Sequence, residues 1–162
     1  MAVLGIVHEG FRRFGEIVPA AKSLAKPDWQ PTADVLASAL DGALELGYLA
    51  PTKSGYALTR NGRLRLATFV RAPVESARGR TARTATALKV CFLRAVDDNQ
   101  RDNVIAELAR LQEDELRTLV EGCVACPSSG RCTRLWIARE IERIRSEIVW
   151  LDTLKHELGR AD

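Results

Sequence analysis

A mainly α-helical chain with one short β-hairpin near residue 50 and a helical second half is what the sequence predicts, on three observations. Apolar residues recur at spacings of three and four from Val35 to Leu46 and again from Ile137 to Leu151. Two short apolar runs flank the turn-forming stretch Pro51-Thr-Lys-Ser-Gly55. Finally, 46% apolar and 28% charged residues in a chain of 162 suit one folded domain or two small ones, and exclude disordered, collagen-like and mucin-like chains.

Val3 to about His8 forms a short helix, and Phe14 to Leu24 a second that Pro19 interrupts or restarts. Pro27, Asp28 and Pro31 break the pattern. Thr32 then stands as the N-cap of a third helix, its hydroxyl able to accept from a free backbone N–H. Val35, Leu36, Ala39, Leu40, Ala43 and Leu44 form its apolar side, with Asp34, Ser38, Asp41 and Glu45 outside and Gly47 as its C-cap. Tyr48–Ala50 and Tyr56–Leu58 pair as the hairpin, and Thr59 caps a helix carrying Arg60, Arg63 and Arg65.

Helix, helix, capped helix, hairpin, helix is the order of a winged helix-turn-helix, whose third helix enters the DNA major groove while the hairpin touches the backbone. On this reading residues 1–70 are a DNA-binding domain. Thr32, Asp34 and Ser38 face the bases, and Lys53, Arg60 and Arg63 meet phosphates. The charge distribution agrees: residues 1–85 carry twelve Lys/Arg against seven Asp/Glu, residues 86–162 twelve against fourteen. The third helix holds no Lys or Arg, so Arg12, Arg13 and Lys22 are needed as further cations around it.

Residues 71–85, with Pro73, Gly79 and several arginines, form a linker or helix extension. Residues 86–162 then form a helical dimerisation and sensing domain of three helices, Thr86–Val96, Asn99–Glu121 and Arg131–Leu158. In the last, Ile137, Ile141, Ile144, Ile148 and Leu151 step by four and three, a coiled-coil seam that with Trp150 offers a face to a second subunit or to the chain's own core. Arg143 and Glu147 are spaced to pair across one turn.

Cys123, Cys126 and Cys132 form C-x2-C-x5-C in a loop between helices, and Cys91 supplies a fourth thiol. Two-residue spacing turns two thiolates toward one ion, so the set is a candidate for structural zinc, an iron-sulfur cluster or a thiol redox switch. Oxidation, or gain and loss of a metal, would reset the angle between the helices on either side. Alternatively, Cys91 is a small packing residue and the loop thiols are incidental.

The chain resembles the PadR family of bacterial transcriptional regulators. The resemblance lies in Leu4-Gly5-Ile6, in Leu40 through Glu45-Leu46-Gly47-Tyr48-Leu49, and in Gly55-Tyr56-Ala57-Leu58-Thr59 with Gly62. Further on it lies in Leu88-Lys89-Val-Cys-Phe92-Leu93 and in Glu147-Ile-Val-Trp150-Leu151 with Leu154. It implies a homodimer that binds a palindromic double-stranded operator, represses transcription, and releases DNA when an effector meets its helical half. Two departures stand out: Arg13-Phe14-Gly15-Glu16-Ile17 replaces the family's usual His-Gly-Tyr-Glu-Leu, and the usual recognition-helix Tyr falls near Ala37.

No catalytic constellation is evident: His8 and His156 sit in no nucleophile or zinc-protease motif, and no phosphate loop or dinucleotide fingerprint occurs. The Cys loop lacks the strand and helix pattern of a thiol-redox enzyme. No apolar run approaches the roughly 18 residues of a membrane span, and Met1–Val7 lacks the basic start of a secretory signal, so a cytoplasmic protein is expected. A winged-helix protein-interaction adaptor without DNA is the alternative reading.

Overall fold

The computed structural model describes residues 1–24, 30–74, 80–125 and 130–159. It is mainly helical, as expected. α1 (Ala2–His8), α2 (Phe14–Ser23) and α3 (Ala33–Glu45) precede a two-stranded hairpin of β1 (Leu49–Thr52) and β2 (Gly55–Leu58). α4 (Arg60–Arg71), α5 (Arg80–Cys91), a 3-10 turn at Leu93–Ala95, α6 (Asp98–Ala125) and α7 (Arg131–Gly159) follow. The chain divides into two compact units, the first closing at Arg101 and the second beginning at Asp102.

The first unit is the winged helix-turn-helix order, with α5 added to it. α1 is buried from Ala2 to Val7 and forms the centre of the core, which Ile17, Ala21, Leu36, Leu40, Leu49, Leu66 and Val70 complete. Pro19 does not divide α2. A proline there loses its own bond to the carbonyl of Gly15 and crowds it, but Gly15 is open to solvent and in the first turn, where that carbonyl can tilt outward to water.

α3 begins as expected: the Thr32 hydroxyl accepts from Val35 N–H at 3.4 Å. Gly47, at φ +65°, turns the chain out of it, and Tyr48 N–H donates to Ala43 O at 2.9 Å, a Schellman closure that delivers the chain into β1. The strands pair antiparallel from Leu49 opposite Leu58 to Thr52 opposite Gly55.

α5 starts at Arg80, inside the stretch expected as a linker, because beyond Gly79 the Arg/Thr/Ala sequence contains no breaker. It ends at Cys91, and Phe92 then turns back so that its ring lies directly over Gly5 of α1. A Cβ on Gly5 would stand 2.2 Å from that ring, and Phe92 is 1% exposed. The residues after the expected linker therefore belong to the core of the first unit.

In the second unit Lys155, near the end of α7, lies 4.0 Å from Asp102 at the start of α6, so the two long helices run antiparallel. Val104, Ile105 and Leu108 are buried on α6, as are Ile144 and Leu151 on α7. Two expectations are corrected here. α6 runs through Cys123 and α7 begins at Arg131, which puts Cys123 and Cys132 on helices rather than in a loop. Arg143 pairs with Glu140 at 2.9 Å instead of Glu147, a choice between neighbours one turn away on either side.

Candidate nucleic-acid interface

The outward side of α3 divides into two stripes. Leu36, Leu40 and Ala43 face the core, which leaves Asp34, Ser38, Asp41 and Glu45 along one flank and Val35 and Ala39 along the other, all exposed. Val35 is 57% exposed, unusual for a β-branched apolar side chain on a helix with a core to fill. Sequence patterning had grouped Val35 and Ala39 with the apolar core side; the structure moves both to the open face. Thr32 serves as the cap, and Lys22 of α2 shares with Thr32 and Ala33 a hollow of about 440 Å³ at the start of α3.

The hairpin is held from two directions. At its base, the Thr59 hydroxyl donates to Gly47 O at 2.7 Å and accepts from Gly62 N–H at 3.0 Å, so one side chain closes the strand pair and caps α4. Arg63 donates from its guanidinium to Leu58 O at 2.9 Å, which fixes the strand-to-helix corner. At its other side, Tyr56 N–H donates to Arg12 O at 2.8 Å. Gly55, at φ +126°, is pressed against the same carbonyl, where a Cβ would stand 2.1 Å away. Only glycine meets both conditions.

This anchoring sets Arg12 and Arg13 beside the hairpin, a juxtaposition that sequence alone does not reveal because local helix and turn rules say nothing about a loop meeting a strand 44 residues on. Glu16 orders the same loop: its carboxylate accepts from the N–H groups of Arg12 and Arg13, each at 3.0 Å. Those backbone bonds, with the Arg13 charge behind them, hold the Glu16 carboxyl below its ordinary range. Lys53 lies exposed at the hairpin turn, and Arg60 is exposed at the start of α4.

Among the described residues the expected cysteines form no metal-holding group: no set of three or more His, Cys, Asp or Glu side chains there is placed to hold a metal ion. Cys126 lies outside the described residues. Cys91 belongs to the first unit, Cys123 and Cys132 to the second. Desolvation of the Cys91 sulfur, followed by the nearby charge of Glu9, pushes its thiol up, the opposite of what a reactive or metal-ready thiolate needs.

On α7 the expected seam is sorted by burial. Ile144 and Leu151 are buried within a single chain, and Ile137, Ile141 and Ile148 are half-buried. Trp150 is 44% exposed, and Trp136, Leu135 and Val149 are more exposed still.

No family model matches the chain, and no curated protein matches it by sequence. Solved structures do match. Its structural neighbours are PadR and AphA regulators. Bacillus subtilis PadR aligns over 98% of this chain and 93% of its own, with TM-score 0.43 and 16% identity. The same protein in complex with operator DNA aligns over 96% of each chain, with TM-score 0.40 and 18% identity. The Vibrio cholerae virulence activator AphA aligns over 99% of this chain and 97% of its own, with TM-score 0.42 and 16% identity. Among the described residues no helix is long and apolar enough to cross a membrane.

Proposed function

We propose that the chain is a dimeric, PadR-like transcriptional regulator, a repressor that binds a palindromic double-stranded operator through α3 and the hairpin. The observation that carries this reading is the anchoring of the hairpin: Tyr56 to Arg12 on one side and Thr59 and Arg63 on the other fix the hairpin with Lys53 against the loop of Arg12 and Arg13 and the start of α4 with Arg60. The acidic flank of α3 repels phosphates, so affinity comes from those cations and from Lys22, and α3 contributes selectivity. Asp34 and Ser38 can engage base edges, with cytosine N4 as the natural donor to a carboxylate. Val35 and Ala39 suit the 5-methyl group of thymine.

The dimer reading rests on the exposed aromatic side of α7. Trp136 and Trp150, with Leu135 and Val149, recur fourteen residues apart, two heptads, and form the apolar surface through which a second copy joins. In the C-x2-C-x5-C segment a zinc ion, an iron-sulfur cluster or thiol oxidation would act as the control signal. Spacing is what supports that part, and the metal content of protein purified without oxygen tests it.

The function is tested by selecting duplexes from a random pool and measuring binding across salt concentrations. A two-fold symmetric consensus with affinity falling steeply with salt is expected. A chain that enriches no duplex, or whose binding survives removal of Lys53, Arg60, Arg12 and Arg13 together, is the adaptor of the alternative reading.

A further inference from the structure

A cavity of about 1040 Å³ opens in the first unit between α1, α2 and the end of α5. Its walls are apolar and partly aromatic: Ile6, Phe11, Pro19 and Phe92. Two carboxylates, Glu9 and Glu16, stand on its lip, and no Lys, Arg or His is among the described residues that line it. Cys91 adds no charge, since its thiol is pushed up and stays protonated. Phe11 is 44% exposed at the same lip, in the turn that Gly10 makes at φ +101°. A large ring left in solvent beside a cavity is a surface a ligand would cover.

We propose that this cavity binds a hydrophobic aromatic cation, which seats its rings against Phe11 and Pro19 and its charge against Glu9, and that its occupancy is transmitted to the hairpin through Arg12. Aromatic walls and an anionic lip complement that class twice over, by burial of apolar surface and by cation-to-π and carboxylate attraction. An anionic ligand of the same shape is repelled. Arg13 offsets part of the Glu16 charge, as its influence on that carboxyl shows, so Glu9 is the principal anchor.

The transmission is a short chain of bonds. The lip residues Gly10 and Phe11 lead directly into Arg12, whose N–H is held by Glu16 and whose carbonyl holds Tyr56 N–H of β2. A ligand that seats on Phe11 and Glu9 orders that loop and with it the strand.

Tetraphenylphosphonium and tetraphenylborate, ions of one shape and opposite charge, test the site on the full chain without DNA. Calorimetry is expected to show saturable one-site binding of the phosphonium. The borate should bind about twentyfold more weakly, since an attraction of the size of a half-exposed charge pair becomes a repulsion. Glu9→Gln should weaken the phosphonium about fivefold. Gly15→Phe should abolish its binding, because position 15 lines the cavity with nothing within 4 Å of a Cβ there. Should that variant misfold, Phe11→Ala, at an exposed position, replaces it and should weaken binding about fivefold.

Exchange of the Tyr56 amide hydrogen reports the coupling. If the ligand binds only the closed lip, exchange slows about tenfold at a ligand concentration ten times Kd. Equal affinity for the two ions, no binding of either, insensitivity to Glu9→Gln, or an unchanged Tyr56 exchange rate would each overturn the proposal. None of these readouts involves DNA. A chain that bound the cation and no duplex would overturn the proposed function and leave this site standing.

Discussion

The ammonium of Lys89, 3% exposed on α5, donates to the carbonyl of Val70 at 3.0 Å. It also donates to Phe69 O at 2.9 Å and to Ala72 O, and lies 5.3 Å from the centre of the Phe69 ring. One side chain thus satisfies carbonyls at the end of α4, where the helix has no further N–H to offer them and the macrodipole favours a cation.

Lys89→Met keeps the aliphatic stem and removes those bonds. A loss of about 2–3 kcal/mol in urea unfolding is expected, the size of charge-assisted hydrogen bonds to buried acceptors. A loss within experimental scatter of zero would show that water replaces the ammonium.

Gly5→Ala places a methyl group inside the ring of Phe92. Overpacking of this kind should cost about 1–3 kcal/mol. In a Phe92→Leu background the increment should shrink, which a double-mutant cycle measures.

Lys53→Ala and Arg60→Ala should each lower duplex affinity uniformly across sequences and reduce the log–log salt slope by about 0.9, one phosphate contact apiece. Val35→Ser should act differently. Affinity for thymine-containing sites falls, and replacing thymine by deoxyuridine in the selected duplex reproduces the effect without further loss in the variant.

Val149→Asp with Trp150→Glu should give folded monomers in sedimentation, with helical circular dichroism retained, because both positions are exposed in the single chain. Ile144→Asp should instead unfold the second unit, for it buries an unpaired carboxylate at a position 0% exposed.

Glu16 is bound more tightly as an anion in the folded chain than in the unfolded one. Its contribution to stability is therefore fully present above the ordinary value of 4.5 and is lost as pH falls through the lower folded value. Glu16→Gln should lower stability at neutral pH, leave it little changed once the pH is below the folded value, and so flatten the acid limb in that window. An acid limb identical to that of the unsubstituted chain would show that other carboxylates govern it.

Much of the first unit was legible in the sequence because its signals are local. Thr32 and Thr59 cap the helices they were expected to cap, and Gly47 closes α3. The hairpin registers around the expected turn. What was not legible depends on which side of a helix meets a neighbour. Val35 and Ala39 fit an apolar period yet lie outside it, because Leu36, Leu40 and Ala43 alone suffice to cover the core. Ile144 and Leu151 follow heptad spacing whether the other half of the seam is a second chain or the same one, and burial within one chain decides for the latter. The partnership of Arg12 with Tyr56 joins residues 44 positions apart, beyond the reach of any periodicity.

Phe92 over Gly5 limits how this molecule can be cut and rejoined. A fragment ending at residue 70 would carry the hairpin and α3 intact but leave the inner helix without its roof, a fusion partner that precipitates rather than a portable reading head. Grafting experiments should cut beyond Val96, where the roof has closed.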